Sequence, residues 1–217
     1  MKIIFIIFTS LFLLAGCGTP TQDMITSNTS ASGRTILALG DSLTAWYWLP
    51  ESDSYPSQLE AKLKADWYSY RLVNAGISWD TTAGLLSRLD WVLEGDPPSL
   101  VILCIGANDA FQGKDTTEIE SNLRAIIEKI RSKKIPILFA GMRAPLNLWW
   151  EYGDKYEAIF PRLAKEYDLP FMSFFLQWVA LKASLNQDDR IHPTKEGYAI
   201  VVDHLMEQLR DKKLIHK

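Results

Sequence analysis

The sequence predicts a single α/β domain in which helices cover both faces of a mostly parallel, five-stranded sheet. Apolar runs of strand length alternate along the chain with stretches whose apolar residues recur at helical spacing. Residues 100–105 are apolar throughout, as in a strand that is covered on both faces. The chain has 217 residues, 47% of them hydrophobic, which suffices for one domain with a substantial core. Strands that alternate with helices give a parallel sheet, and right-handed crossovers leave few ways to wind it.

Five segments are predicted strands, with helices between them: residues 36–39, 72–73, 100–105, 135–140 and 171–175. Pro56 suits the first position of the first helix, because its missing N–H would be unpaired there. Thr81 and Thr82 can cap the second helix, and Thr117 with Glu120 has the spacing of a capping box for the third. Two further helices are expected over residues 154–167 and from residue 193 to about residue 210.

Residues 1–33 differ in composition from the rest of the chain. Lys2 is followed by an apolar run over residues 3–8, then Thr9-Ser10, then a second apolar run over residues 11–14. This segment is too short to span a bilayer reliably, and it has the layout of a secretory signal. The run leads to Ala15-Gly16-Cys17, which resembles the lipobox of bacterial lipoproteins and implies that Cys17 is acylated. An ordinary cleaved signal and an uncleaved short anchor are the alternatives.

The predicted organisation is a signal peptide over residues 1–16, a lipidated Cys17 with a flexible tether up to residue 33, and one folded domain over residues 34–217. Residues 18–33 are rich in Thr, Ser, Asn and Gly, and they cannot bury enough apolar surface to order themselves. A lipid on Cys17 would hold the protein in the bacterial cell envelope, on the periplasmic face of the outer membrane or the outer face of the cell membrane.

Composition argues against one class of partner. The formal net charge is −3 and no long basic run occurs, whereas nucleic-acid binding needs clustered Lys and Arg. Of the two cysteines, Cys17 would carry lipid and Cys104 lies in the apolar segment 100–105. We therefore expect Cys104 to be a core residue and expect no disulfide.

The first predicted strand stops abruptly at Gly40-Asp41-Ser42. A hydroxyl at the carboxyl end of a central parallel strand lies where open α/β sheets form their ligand crevice. Ser42 is therefore a candidate nucleophile, although Gly-Asp-Ser alone is also ordinary turn chemistry.

A nucleophilic serine needs a base, and the base needs a group that orients it. His192 is the candidate base because it lies in a polar stretch just before the last helix, whereas His204 falls within that helix and His216 in the terminal tail. Asp189 stands three residues before His192 and could reach its Nδ1 atom. Asp188 is the competing carboxylate.

Acyl transfer also needs donors aimed at the developing oxyanion. The candidates are the backbone N–H groups of Ser42 and Gly76 and the side-chain amide of Asn108. Alternatively, Gly76 simply turns the chain and Asn108 caps its own loop. Asp41 and Asp109 are expected to hold loop backbone by hydrogen bonds.

The motifs Gly40-Asp41-Ser42-Leu43, Gly76, Gly106-x-Asn108-Asp109 and Asp189-x-x-His192-Pro193 resemble, in order and near the usual spacing, the four blocks of the SGNH, or GDSL, hydrolase superfamily. The likeness covers residues 35–210 and is greatest to the bacterial arylesterase and thioesterase I/lysophospholipase branch.

This resemblance implies a three-layer, flavodoxin-like fold and no metal or cofactor. It also implies a triad of Ser42, His192 and Asp189, with an oxyanion hole formed by Ser42, Gly76 and Asn108. Where the second block often continues with another glycine, this chain has Trp79, which would be strained if the site required a positive φ.

The function expected from these observations is that of a lipid-anchored serine esterase acting on small acyl esters, with thioesters as possible substrates. A carbohydrate O-acetyl esterase and a non-catalytic lipid- or glycan-binding lipoprotein are the alternatives. Five tryptophans fall in or near the predicted crevice loops: Trp46, Trp48, Trp79, Trp149 and Trp150. They could line an acyl groove or could simply cover the sheet's helices and loops.

Overall fold

The computed structural model describes residues 34–145 and 150–217, and the predicted signal peptide, Cys17 and tether lie outside these residues. Its strands are β1 (Arg34–Gly40), β2 (Tyr70–Gly76), β3 (Leu100–Cys104), β4 (Ile137–Ala140) and β5 (Phe171–Met172). They form one five-stranded sheet in the order β2-β1-β3-β4-β5, and every neighbouring pair is parallel. This is the flavodoxin-like order. The predicted α/β fold with a five-stranded parallel sheet is therefore confirmed.

In the described residues, six α-helices connect and follow the strands. They are α1 (Tyr55–Ala65), α2 (Thr82–Val92), α3 (Ala107–Phe111), α4 (Thr116–Ser132), α5 (Trp150–Glu166) and α6 (Lys195–Asp211). Short 3-10 helices cover Glu51–Asp53 and Ala183–Leu185. α1 contacts α6, whereas α2 contacts α4 and α4 contacts α5. The helices thus form two groups, as expected when a sheet is covered on both faces.

The helix starts agree with the sequence in two places and differ in one. The Thr81 side chain accepts a hydrogen bond from the backbone of α2, and Thr194 does the same for α6. The predicted capping box of Thr117 and Glu120 is wrong, because Asp115 caps α4 by accepting from the Thr117 N–H at 2.7 Å. Glu120 pairs instead with two arginines, one on its own helix and one on α5.

The core lies on both sides of β3, whose five residues are all fully buried. Cys104 ends this strand as a buried free thiol. Within the two described ranges, no helix is long and apolar enough to cross a membrane.

The strand register brings three loops to one edge of the sheet. Gly40 pairs with Gly76 of β2 on one side and with Cys104 of β3 on the other. The loops that follow β1, β2 and β3 therefore leave the sheet at the same level. The strand order also reverses at β1, so these loops border the crevice in which open α/β sheets bind ligands.

Candidate active site

Ser42 follows the central strand β1 in a turn that only glycine can begin. A Cβ atom on Gly40 would lie 2.2 Å from the Thr44 Oγ1 atom and 2.4 Å from the Cys104 carbonyl oxygen. Because neither contact is possible, the side chain at position 40 has to be absent for the turn to fold back on itself. This places the Ser42 hydroxyl at the carboxyl edge of the sheet.

Asp41 holds the same turn from inside the protein. Its Oδ1 atom accepts the Leu43 N–H at 3.0 Å, while its carbonyl oxygen accepts the N–H groups of Thr44 and Ala45 at 3.0 and 2.9 Å. The side chain is fully buried, and its Oδ2 atom has no hydrogen-bond partner among the described residues. Burial raises the pKa of Asp41 to about 7.

This raised pKa of Asp41 predicts a pH dependence of stability. The folded chain keeps the proton up to about pH 7, whereas the unfolded chain loses it near 3.8. The contribution of the protonated Asp41 to the free energy of unfolding is therefore complete below about pH 4, and it is lost as the pH rises through about 7. Relative to Asp41→Asn, which mimics the neutral acid, we expect the free energy of unfolding to fall by up to about 4 kcal/mol across this window. Urea unfolding between pH 4 and pH 8 measures it, and a difference that stays constant would contradict the assignment.

The predicted base and its orienting group meet Ser42 as one hydrogen-bonded series. The His192 Nε2 atom lies 2.8 Å from the Ser42 Oγ atom, and its Nδ1 atom lies 2.6 Å from the Asp189 Oδ2 atom. His204 instead lies on α6, where its ring packs against that of Trp178. The structure thus brings together the three residues that the sequence assigned to a triad, and their catalytic roles stay a prediction.

Asp189 is held so that it can orient the imidazole. Its Oδ1 atom accepts the backbone N–H groups of Ile191 and His192 at 2.9 and 3.0 Å. Partial burial alone would raise the pKa of Asp189, but these hydrogen bonds and the His192 side chain together lower it. An ionised carboxylate favours the proton on Nδ1, which leaves the Nε2 lone pair free to accept the Ser42 proton.

The loop that carries His192 is fixed at both ends. The Gln187 N–H donates to the His192 carbonyl at 2.8 Å, and the Gln187 side-chain amide donates to the carbonyls of Pro193 and Tyr47, each at 3.1 Å. The Tyr47 ring also lies against the imidazole, with 4.5 Å between ring centroids. His192 is only 7% exposed, so it is preorganised rather than waiting for substrate to order it.

The three predicted oxyanion donors differ in their availability. Within the part of the chain that the structure describes, the Ser42 N–H has no acceptor. The Asn108 amide donates to the Asp80 carbonyl at 2.8 Å, which leaves its second N–H for a ligand. The Gly76 N–H, by contrast, donates to the Asn74 Oδ1 atom at 2.9 Å. Its use as an oxyanion donor stays a prediction that would require this bond to open.

Gly76 also has a packing role, because a Cβ atom there would lie 2.6 Å from the Ala45 backbone nitrogen. Asp109 is buried and accepts the N–H and hydroxyl of Thr82 at 2.9 and 2.6 Å, which ties α3 to the start of α2. Asp41 and Asp109 thus hold backbone groups, as the sequence indicated. Trp79 does have a positive φ, of 69°, so the strain expected at this position is present.

Removing the Asn108 amide is expected to slow acylation. We expect Asn108→Ala to lower the acylation rate by about two to three powers of ten, the usual effect of one lost oxyanion donor. Stopped-flow release of p-nitrophenol measures it. Gln112→Ala is a matched control, because it removes an exposed side-chain amide at the end of the same helix, α3. A raised KM with unchanged kcat would assign Asn108 to substrate binding instead.

The sequence did not single out several residues that support the site. Tyr47 packs against the base, Asn74 engages Gly76, and Asp80 receives the Asn108 amide. Arg88, on α2, contacts Asp80. Its only signal in the sequence is a charged side chain next to the apolar stripe of a predicted helix, which by itself indicates a solvated surface.

An α/β sheet that presents a serine hydrogen-bonded to a carboxylate-held histidine is the arrangement of a serine hydrolase. Residues 38–200 match the model of the GDSL-like Lipase/Acylhydrolase family, and the chain belongs to that family. The family prediction made from the four motifs is confirmed. The chain is an enzyme of the serine esterase and thioesterase class.

Individual relatives agree with this family. The chain is 36% identical to thioesterase 1/protease 1/lysophospholipase L1 of Escherichia coli K12 over 182 residues, which are 83% of this chain and 86% of that protein. It is 33% identical to an arylesterase of Vibrio mimicus over 183 residues, which are 84% and 92% of the two chains. The solved structure of AlinE4, an SGNH-hydrolase family esterase, matches with a TM-score of 0.70 at 41% identity and covers 83% of this chain and 96% of its own.

Proposed function

We propose that the protein hydrolyses small acyl esters through an acyl-enzyme on Ser42. The hydrogen-bonded series from Ser42 through His192 to Asp189 is the observation that carries this proposal. The Ser42 oxygen attacks the ester carbonyl while the His192 Nε2 atom takes its proton. The Asp189 carboxylate then stabilises the imidazolium, and the Ser42 N–H and the Asn108 amide are placed to receive the oxyanion.

Collapse of the tetrahedral intermediate breaks the ester carbon–oxygen bond. His192 returns its proton to the departing alcohol, which leaves the acyl group on Ser42. A water molecule then attacks the acyl carbonyl, again giving a proton to the His192 Nε2 atom. Release of the carboxylic acid returns that proton to the Ser42 oxygen, so each turnover consumes one ester and one water.

Oxygen esters such as lysophospholipids and short acyl esters are the substrates we propose. The names of the E. coli and Vibrio relatives include lysophospholipase, thioesterase and arylesterase, which supports an acyl ester or thioester. The Tyr47 ring lies against His192 and offers apolar surface to an acyl chain.

A panel of p-nitrophenyl esters with increasing acyl length tests this function. We expect turnover of short and medium chains by the pure protein, with thioester hydrolysis on the same active site. Ser87→Ala, on the exposed side of α2, should behave like wild type. A folded protein that turns over no ester would contradict the proposal and favour a binding protein, and activity restricted to acetylated glycans would indicate an O-acetyl esterase.

We also propose that a lipid on Cys17 holds the enzyme in the cell envelope. The support is the layout of residues 1–17, an apolar run followed by Ala-Gly-Cys. An enzyme outside the cytoplasm would seldom meet acyl-CoA, which is why we favour oxygen esters. Membrane fractionation of the bacterial host tests it: wild type should sediment with membranes and Cys17→Ser should not, whereas equal partitioning would contradict the anchor.

A further inference from the structure

Arg88 on α2 joins the loop after β2 to the end of β1. Its Nε atom donates to the Asp80 Oδ2 atom at 2.8 Å, and its Nη2 atom donates to the Gly40 carbonyl at 3.3 Å. The two side chains of this ion pair are only 15% and 8% exposed, which makes it the most buried Lys or Arg ion pair among the described residues. The guanidinium therefore contacts the turn that carries Ser42 and the loop that follows β2 at the same time.

Asp80 also contacts Asn108. The Asp80 carbonyl oxygen accepts the Asn108 amide at 2.8 Å, and its Oδ1 atom accepts the Thr81 N–H at 3.0 Å. A Cβ atom on Gly84 would lie 2.0 Å from the Asp80 Oδ1 atom, so the chain leaves room for this carboxylate by having glycine there. Asp80 thus contacts the Asn108 amide through its carbonyl oxygen and Arg88 through its carboxylate.

A buried ion pair is weak evidence for a role in stability, because desolvation of the two charges offsets much of their attraction. Its geometry is more informative. Arg88 uses two nitrogens of one rigid, planar group to bridge two backbone segments, which the single ammonium of lysine cannot reproduce. The guanidinium thus bridges Gly40, two residues before the nucleophile, and Asp80, whose carbonyl oxygen accepts the Asn108 amide.

We propose that Arg88 is a positioning residue for the hydrolytic reaction. It acts through Asp80 and holds the Asn108 amide where the oxyanion forms, without touching substrate itself. This inference rests on the proposed function, in which Ser42 attacks an ester and Asn108 donates to the oxyanion.

A double-mutant cycle between Arg88 and Asn108 tests the proposal on a p-nitrophenyl ester. We expect Arg88→Lys to lower kcat by about ten- to a hundredfold with KM little changed, because a misplaced donor weakens only the transition-state contact. In an Asn108→Ala background the same change should have little further effect, because the amide that Arg88 positions is already gone. Asp90→Asn is the matched control, because it breaks the exposed ion pair of α2 with Lys129 and leaves the loop intact.

Each outcome of the cycle decides something. An unchanged kcat in folded Arg88→Lys, or an equal loss with and without Asn108, overturns the positioning role while the proposed function stands. An inactive wild type overturns both. If Arg88→Lys does not fold, Asp80→Asn removes the charge and keeps an acceptor for Thr81, and the same kcat loss and the same dependence on Asn108 are expected of it.

A second, independent observation is that most tryptophans in the described residues have a positive φ angle. Of the seven tryptophans in the described residues, five have a positive φ: Trp46 (56°), Trp48 (59°), Trp67 (65°), Trp79 (69°) and Trp178 (70°). A bulky residue at φ > 0 is an outlier, because its Cβ atom crowds the following carbonyl, whereas glycine adopts this conformation freely. These five side chains are between 37% and 85% exposed, so burial in the core does not compensate the strain.

These positions lie in turns, loops and a helix C-terminus, where glycine is common. Trp67 directly follows the C-cap of α1, where helices commonly end on a left-handed glycine. Trp46 and Trp48 lie in the turns after Ser42, and Trp79 lies in the loop after β2. Trp91, by contrast, lies within α2 with helical backbone.

We infer that glycine occupies positions 46, 48, 67, 79 and 178 of the protein as its source organism makes it. In that organism, the codon that is translated as tryptophan in the printed sequence would be read as glycine at these positions. Peptide mass spectrometry of the protein purified from its source organism tests this inference. We expect glycine at all five positions and tryptophan at position 91. Tryptophan at the five positions overturns it.

A stability measurement tests the physical basis separately. The chain with five Trp→Gly changes should have a higher urea unfolding midpoint than the unchanged chain, because relief of the strained backbone exceeds the added freedom of the unfolded state. Trp91→Gly is the control and should lower the midpoint, because it places glycine inside a helix. A lower midpoint for the fivefold variant would overturn the assignment of these positions to glycine.

Discussion

Ser42→Ala is expected to lower kcat/KM for p-nitrophenyl esters by about four to six powers of ten, the effect of losing a triad nucleophile. The Ser42 oxygen is the atom that forms the bond to the acyl carbon, and it is hydrogen-bonded to the His192 Nε2 atom at 2.8 Å. Alanine removes both the nucleophile and the proton that His192 takes. The oxyanion donors remain, so the residual rate is expected to stay above that of the uncatalysed reaction.

The measurement is the steady-state rate of pure Ser42→Ala beside wild type, with circular dichroism to show that both are folded. Ser42 is almost fully buried, and among residues 34–145 and 150–217 its side chain is hydrogen-bonded only to His192. Alanine at this position should therefore leave the fold intact. Unchanged turnover in the folded variant would contradict the proposed mechanism.

Asp189→Asn is expected to lower kcat by about four powers of ten. The Asp189 carboxylate accepts hydrogen bonds from the His192 Nδ1–H group at 2.6 Å and from two backbone N–H groups. These three hydrogen bonds fix its orientation. An amide can keep the backbone contacts, but its NH₂ group would face Nδ1 as a donor. The imidazole would then hold its proton on Nε2, where it can no longer accept one from Ser42.

Asp188→Asn is the matched control for this change, because Asp188 is the adjacent, exposed carboxylate, whereas the hydrogen bond and ion pair of His192 are made to Asp189. It removes the same charge from the same loop. We expect Asp188→Asn to keep near-normal kcat, so a comparable loss in both variants would indicate a general charge effect. Full activity of Asp189→Asn would remove Asp189 from the triad.

Much of the fold could be predicted because its signals are local. The apolar run that became β3 and the Gly-Asp-Ser turn after β1 are readable without any tertiary information. The parallel order followed from the alternation of strands and helices. The cap of α4 could not be distinguished in the same way, because Asp115 and Thr117 are both good caps and the choice depends on where the preceding loop delivers the chain.

The residues of the candidate site likewise divide into those with a local sequence signal and those that depend on tertiary structure. Ser42, His192 and Asp189 were accessible because each stands in a short motif with its own chemistry. The hydrogen bond from Gly76 to Asn74 and the bridge from Arg88 to Asp80 were not, because both depend on how a loop folds over the sheet edge. Such contacts join residues whose types and spacing are unremarkable in the sequence.

Mass spectrometry after exposure to a fluorophosphonate tests the central claim most directly, because the reagent phosphonylates a serine only where a base and an oxyanion site activate it. The arrangement of Ser42 with His192 predicts one adduct per chain, on the peptide that contains Ser42, and its loss in His192→Ala. Folded wild-type protein that stays unlabelled, or that is labelled on another serine, would contradict the account.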